Sequence, residues 1–123
     1  MKTLLAIAVA GGLGSVARYS IARAVQLRIP GAFPAGTLLV NVVGCLIVGI
    51  VARYFLNDET QPIVRAAIIV GFCGGFTTFS AFSLETVGLV TGGEWGRAAA
   101  YVAASLILCL AATALGYQIP LRS

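Results

Sequence analysis

Gly71-Phe72-Cys73-Gly74-Gly75-Phe76-Thr77-Thr78-Phe79-Ser80-Ala81-Phe82-Ser83 lies at the middle of an apolar run over residues 63–90. A bilayer core of ~30 Å takes ~20 helical residues per crossing, so this run is long enough to span one. Its middle is poor helix material. Each glycine costs ~1 kcal/mol relative to alanine, and the β-branched pair Thr77-Thr78 follows directly. In hydrocarbon a carbonyl released from the helical ladder must find another partner, so a break survives only where protein, water or an ion supplies one. Half-helix ends whose carbonyls coordinate cations are a recurrent membrane device. The plainer alternative is that Gly74 and Gly75 only allow helices to pack closely. The threonine pair and the Phe/Ser series compound the signal, and the third span is expected to break within residues 74–77.

Working outward, three more apolar runs cover residues 3–27, 33–56 and 95–117, separated by Pro30-Gly31, by Asn57-Asp58-Glu59-Thr60-Gln61-Pro62 and by Thr91-Gly92-Gly93-Glu94. Pro62 is placed to open a helix, and Trp95 and Tyr117 sit like interfacial anchors. Composition agrees. Of the 123 residues, 59% are hydrophobic and 10% charged, with a mean hydropathy of +1.00, whereas soluble domains carry about 25% charged residues. The expected architecture is an all-α membrane protein, one domain over residues 1–123 with four transmembrane helices. Met1-Lys2 followed by Ala8-Val9-Ala10 also has the outline of a signal peptide. Three further spans favour an uncleaved first helix instead.

Charge excludes some functions and bears on orientation. The basic residues are scattered singly, without the clustered or aromatic-interleaved pattern of a nucleic-acid surface, so no nucleic-acid partner is expected; snorkelling to lipid headgroups suits most of them. With four spans, Lys2, Arg53, Arg65 and Arg122 fall on one side, and Arg18, Arg23, Arg28 and Arg97 on the other. The Lys/Arg bias that normally sets orientation is therefore absent. Such a chain could insert both ways and pair with its own inverted copy, or be weakly biased and oriented by other factors. The sequence has no histidine, and the cysteines Cys45, Cys73 and Cys109 form no C-x-x-C pair, so they read as small buried hydrophobes.

Helical spacing aligns Phe79, Phe82, Ser83 and Thr86 in the third span and Tyr101, Ser105, Cys109 and Thr113 in the fourth; Thr37, Asn41 and Cys45 do the same in the second. One such stripe is usually interhelical hydrogen bonding, worth ~0.6 kcal/mol per bond. Three stripes on three helices favour a narrow polar pathway. Arg18 lies deep in the first span, where arginine is costly unless paired or near water. Glu85 is the acid within a span, a candidate arginine partner or vestibule residue.

Gly11-Gly12-Leu13-Gly14-Ser15-Val16-Ala17-Arg18-Tyr19, Gly36-Thr37-Leu38-Leu39-Val40-Asn41-Val42-Val43-Gly44 and the run 71–83 together resemble the three signatures of the CrcB/Fluc fluoride channel family. The third is highly specific, and the resemblance covers the whole chain. It implies an antiparallel, dual-topology homodimer in a bacterial inner membrane, with fluoride pores for passive export. It further implies that the backbone carbonyls of Gly74 and Thr77 hold a structural Na⁺ at the dimer interface. Phe79 and Phe82 would offer ring edges to the anion and Asn41 its amide. Tyr101, Ser105 and Thr113 would form a hydroxyl track, and Arg18 would supply positive potential. Cys109 departs from the family's usual hydroxyl, and Ala81 from its usual Thr or Ser. The rival reading is a small multidrug exporter, which needs a carboxylate in the first span; that span holds Arg18 and no acid. A non-conducting assembly subunit is the third reading, and the polar stripes argue against it.

Overall fold

A computed structural model describes residues 1–56 and 60–120. Residues 57–59 of the polar loop, and Arg122 from the charge count, lie outside the described residues. Four helical stretches are long and apolar enough to cross a membrane: Lys2–Arg28, Ala35–Tyr54, Pro62–Thr91 and Trp95–Gln118. The first two are α1 and α2. The third comprises α3 (Pro62–Ala66), a π-helical segment (Ala67–Cys73), α4 (Gly74–Phe76) and α5 (Phe79–Thr91). The fourth is α6.

The connections follow from their residues. Pro62 stands at the start of α3, where its missing N–H is no loss. Gly31 (φ 134°) and Gly93 (φ 78°) supply the positive φ of the α1–α2 and α5–α6 turns. Gln26 staples the first of these turns. Its Nε2 lies 3.3, 3.4 and 3.1 Å from the carbonyls of Ile29, Gly31 and Phe33, and its Oε1 accepts from the Gly36 N–H at 3.3 Å.

Small residues set the packing. The most extensive interface joins α2 to α6. A Cβ at Gly49 would collide with the Thr113 carbonyl oxygen, and Gly116 lies equally tightly on Leu46 and Ile50. α1 packs on the π-helical segment and α4, where a Cβ at Gly14 would strike the Phe72 carbonyl and one at Gly75 the Gly11 carbonyl. Backbones can approach this closely only where a glycine faces the neighbouring backbone, and in lipid that close fit replaces the hydrophobic drive. α5 leans chiefly on α6. Val40 and Tyr101 are fully buried, whereas Leu5, Leu13, Ile107 and Leu110 are exposed. An apolar exterior suits a lipid solvent.

The glycines themselves stay helical. Gly74 has φ −62° and ψ −37°; the extended residues are Thr77 (φ −90°, ψ 157°) and Thr78 (φ −150°, ψ 112°). Contact with α1 selects glycine at position 75 and outweighs its low helix propensity. Cys73 closes the helical turn by accepting both the Thr77 N–H and the Thr77 hydroxyl, each at 2.9 Å.

Candidate functional site

The two extended threonines are held by side chains. Thr78 donates its N–H to Asn41 Oδ1 at 2.7 Å, and Asn41 Nδ2 donates to the Thr78 carbonyl at 3.1 Å. Ala81 N–H donates to Thr78 Oγ1 at 3.1 Å, which makes Thr78 the N-cap of α5. In a continuous helix the Thr78 and Ala81 N–H groups would bond the carbonyls of Gly74 and Thr77, four residues earlier. Asn41 and the Thr78 hydroxyl take those donors instead. The carbonyls of Gly74 and Thr77 thus lose their helical partners, and that of Gly75 accepts from Arg18 Nε at 3.0 Å.

A cavity of about 240 Å³ opens beside this segment, between α2, α5 and α6. Asn41, Thr77, Phe79, Phe82 and Ser105 line it, with Cys45 and Cys109 further along. No acidic side chain is among its lining residues. The Phe79 and Phe82 rings are 5.3 Å apart and tilted at 44°. Ser105 is buried and its hydroxyl has no hydrogen-bond partner among the described residues. One Nδ2 hydrogen of Asn41 is committed to Thr78, leaving a second donor on the same nitrogen.

Tyr101, Thr37, Glu85, Arg18 and Thr113, also singled out by sequence, lie outside the lining of this cavity. Tyr101 packs on Phe82 (5.2 Å between centroids) and donates its hydroxyl to Glu85 Oε2 at 2.9 Å. Thr37 donates to the other carboxylate oxygen at 2.7 Å. Glu85 is therefore held by two hydroxyls. With Arg18, Arg23, Thr37 and Thr78 it lines a second cavity of about 290 Å³. Thr78 borders both cavities. Thr113 does not line the first; its hydroxyl donates to the Cys45 carbonyl at 3.1 Å. Gly74 is exposed.

Sequence reasoning missed Gln26 and Phe33. Phe33 meets Tyr101 edge-on at 5.6 Å and extends the aromatic row from Phe79 through Phe82 and Tyr101. The signal available was Phe33-Pro34 immediately before an apolar helix, the position of a packing residue at a helix entry.

Fold and site together define a small four-span helical membrane protein with a largely apolar cavity among its helices that a few polar side chains border. Residues 5–117 match the family described as "CrcB-like protein, Camphor Resistance (CrcB)". The chain belongs to this family. It is 44% identical over 117 residues to the "Fluoride-specific ion channel FluC" of Nitratidesulfovibrio vulgaris, covering 94% of each chain. Identity to the protein of the same name from Geobacter metallireducens is 45% over 117 residues, again 94% of each. The Gluconobacter oxydans protein so named is 42% identical over 119 residues, which is 94% of this chain and 82% of that one.

Proposed function

We propose that this chain is a fluoride-specific ion channel, not an enzyme, and that it lets fluoride leave the cytoplasm passively across a bacterial inner membrane. The observation that carries the reading is the wall of the central cavity. It offers the Ser105 hydroxyl, a spare Asn41 N–H and phenylalanine ring edges, the positive part of the quadrupole, and it presents no carboxylate to repel an anion. Hydroxyl and amide donors in a wall free of carboxylates suit a small anion that must shed water. In the neighbouring cavity Arg18 and Arg23 outnumber Glu85, a net positive charge that raises the local anion concentration. The sequence contains no G-x-x-x-x-G-K-[ST] phosphate loop, consistent with transport down a gradient.

The working unit in this reading is an antiparallel, dual-topology homodimer. Phe79 lines the cavity yet is 75% exposed in one subunit, so a second copy would complete the wall. The even Lys/Arg distribution permits the inverted insertion this requires. The Gly74 and Thr77 carbonyls, deprived of helical donors, fit a hard cation with oxygen ligands. Two carbonyls from each copy would hold a structural Na⁺ at the interface, balancing dipoles that a dry contact would leave unpaired. Fluoride-electrode recording of efflux from liposomes containing the purified protein tests the reading. Passive fluoride release, absent from protein-free liposomes, is expected; no release above that background would overturn it.

A further inference from the structure

Cys45 and Cys109 take no part in the scheme above, yet both line the central cavity from facing helices. Their approach is fixed by backbone. Thr113, one turn beyond Cys109, donates its hydroxyl to the Cys45 carbonyl, and Gly49 and Gly116 bring α2 and α6 into backbone contact on the same face. The two thiols share the wall of one cavity, neither is engaged in a disulfide, and both are only partly buried. Cys73 is buried and does not line the cavity. Among the described residues no three His, Cys, Asp or Glu side chains cluster as a metal site, so neither a tetrahedral site nor a carboxylate-rich one is available here.

We propose that Cys45 and Cys109 form a two-sulfur site for a soft, monovalent, thiophilic cation such as Cu(I), set in the wall of the central cavity. Sulfur ligands select such cations over hard ones, and two donors on opposite helices suit a linear two-coordinate ion. Each sulfur gives the cation an electron pair. One thiol releases its proton to water and the other stays protonated, so the bound complex is neutral and nothing is oxidised or reduced. Neutrality matters in this setting because an uncompensated charge inside the protein is costly. A bound ion would narrow the cavity beside the anion path and slow fluoride passage. The site itself stands on the geometry of the two thiols; its effect on flux rests on the cavity being the fluoride path.

Ag⁺ in chloride-free medium is the probe, applied to the purified protein in detergent and in liposomes. Native mass spectrometry should show about one Ag⁺ per chain, and bound Ag⁺ should protect Cys45 and Cys109 from alkylation. Cys45→Ser and Cys109→Ser should each weaken Ag⁺ binding by at least the roughly 10–100-fold that a metal site loses with a supporting partner, and Cys73→Ser should leave it intact. Fluoride efflux should fall as the site fills, with each rate compared to the same variant's silver-free rate. Full-affinity binding in Cys45→Ser or Cys109→Ser, or loss of binding in Cys73→Ser, would overturn the site. Ag⁺ held by the pair with efflux unchanged would uphold the site and overturn the cavity as the path.

Discussion

Ser105 separates two demands that usually coincide. A buried hydroxyl without a partner costs ~1–3 kcal/mol of stability, and among the described residues Ser105 has none. Ser105→Ala should therefore leave the thermal midpoint in detergent unchanged or raised, while fluoride efflux slows. If efflux holds at the parent rate, the hydroxyl is not on the path. Asn41 makes the converse case, since its oxygen holds the Thr78 N–H and its nitrogen the Thr78 carbonyl. Asn41→Asp keeps the acceptor but puts charge beside an anion path. It should slow efflux by about tenfold or more, the equivalent of ~1.4 kcal/mol on a barrier, and parent-like flux would contradict the assignment. Phe79→Ile and Phe82→Ile keep bulk and remove the ring quadrupole. Both should slow efflux strongly with the protein still folded, and parent-like conduction would make the rings mere packing. Asn41 was legible in sequence because a full amide within an apolar run demands a partner. That the partner is the Thr78 backbone was not legible, since the pairing joins residues 37 positions apart.

Among the elements, the third span shows what helix propensity alone does not decide. Gly74 and Gly75 are its weakest helix formers, yet they remain helical, and the extended backbone falls on Thr77 and Thr78. Contact with α1 decides this, because position 75 has no room for a Cβ against Gly11. The same contact separates the glycines of α1. A Cβ at Gly14 would strike Phe72, whereas one at Gly12 meets nothing within 4 Å. Gly14→Ala and Gly75→Ala should each cost about 1–3 kcal/mol through overpacking, read as a lowered thermal midpoint. Gly12→Ala should be neutral or stabilising by up to ~1 kcal/mol from helix propensity. Equal effects at positions 12 and 14 would contradict the packing. Because the proposed Na⁺ ligands are carbonyls, side-chain changes at Thr77 should disturb activity less than Gly74→Pro, which disrupts the backbone.

At the scale of the whole molecule, four long apolar helices were legible from hydropathy alone, because hydrocarbon thickness dictates span length. The staple at Gln26 and the two hydroxyls on Glu85 were not, since each joins helices whose relative rotation no periodicity specifies. Orientation is the open question that charge poses. Two or three lysines added to the loop at residues 57–61 should lock one orientation and abolish function when that variant is expressed alone. Co-expression with a variant carrying extra lysines at residues 91–94 should restore it. An oriented variant that is active by itself would refute the antiparallel dimer. Replacing Na⁺ by K⁺ should reduce activity or dimer stability without coupling fluoride flux to the Na⁺ gradient. The most direct test of the central claim is the reversal potential of the current through the purified protein in a planar bilayer, with a fluoride gradient, symmetrical chloride and a Na⁺ gradient imposed. A fluoride-specific passive channel reverses at the fluoride equilibrium potential whatever the Na⁺ gradient; reversal at the chloride potential, or at one that moves with Na⁺, would contradict it.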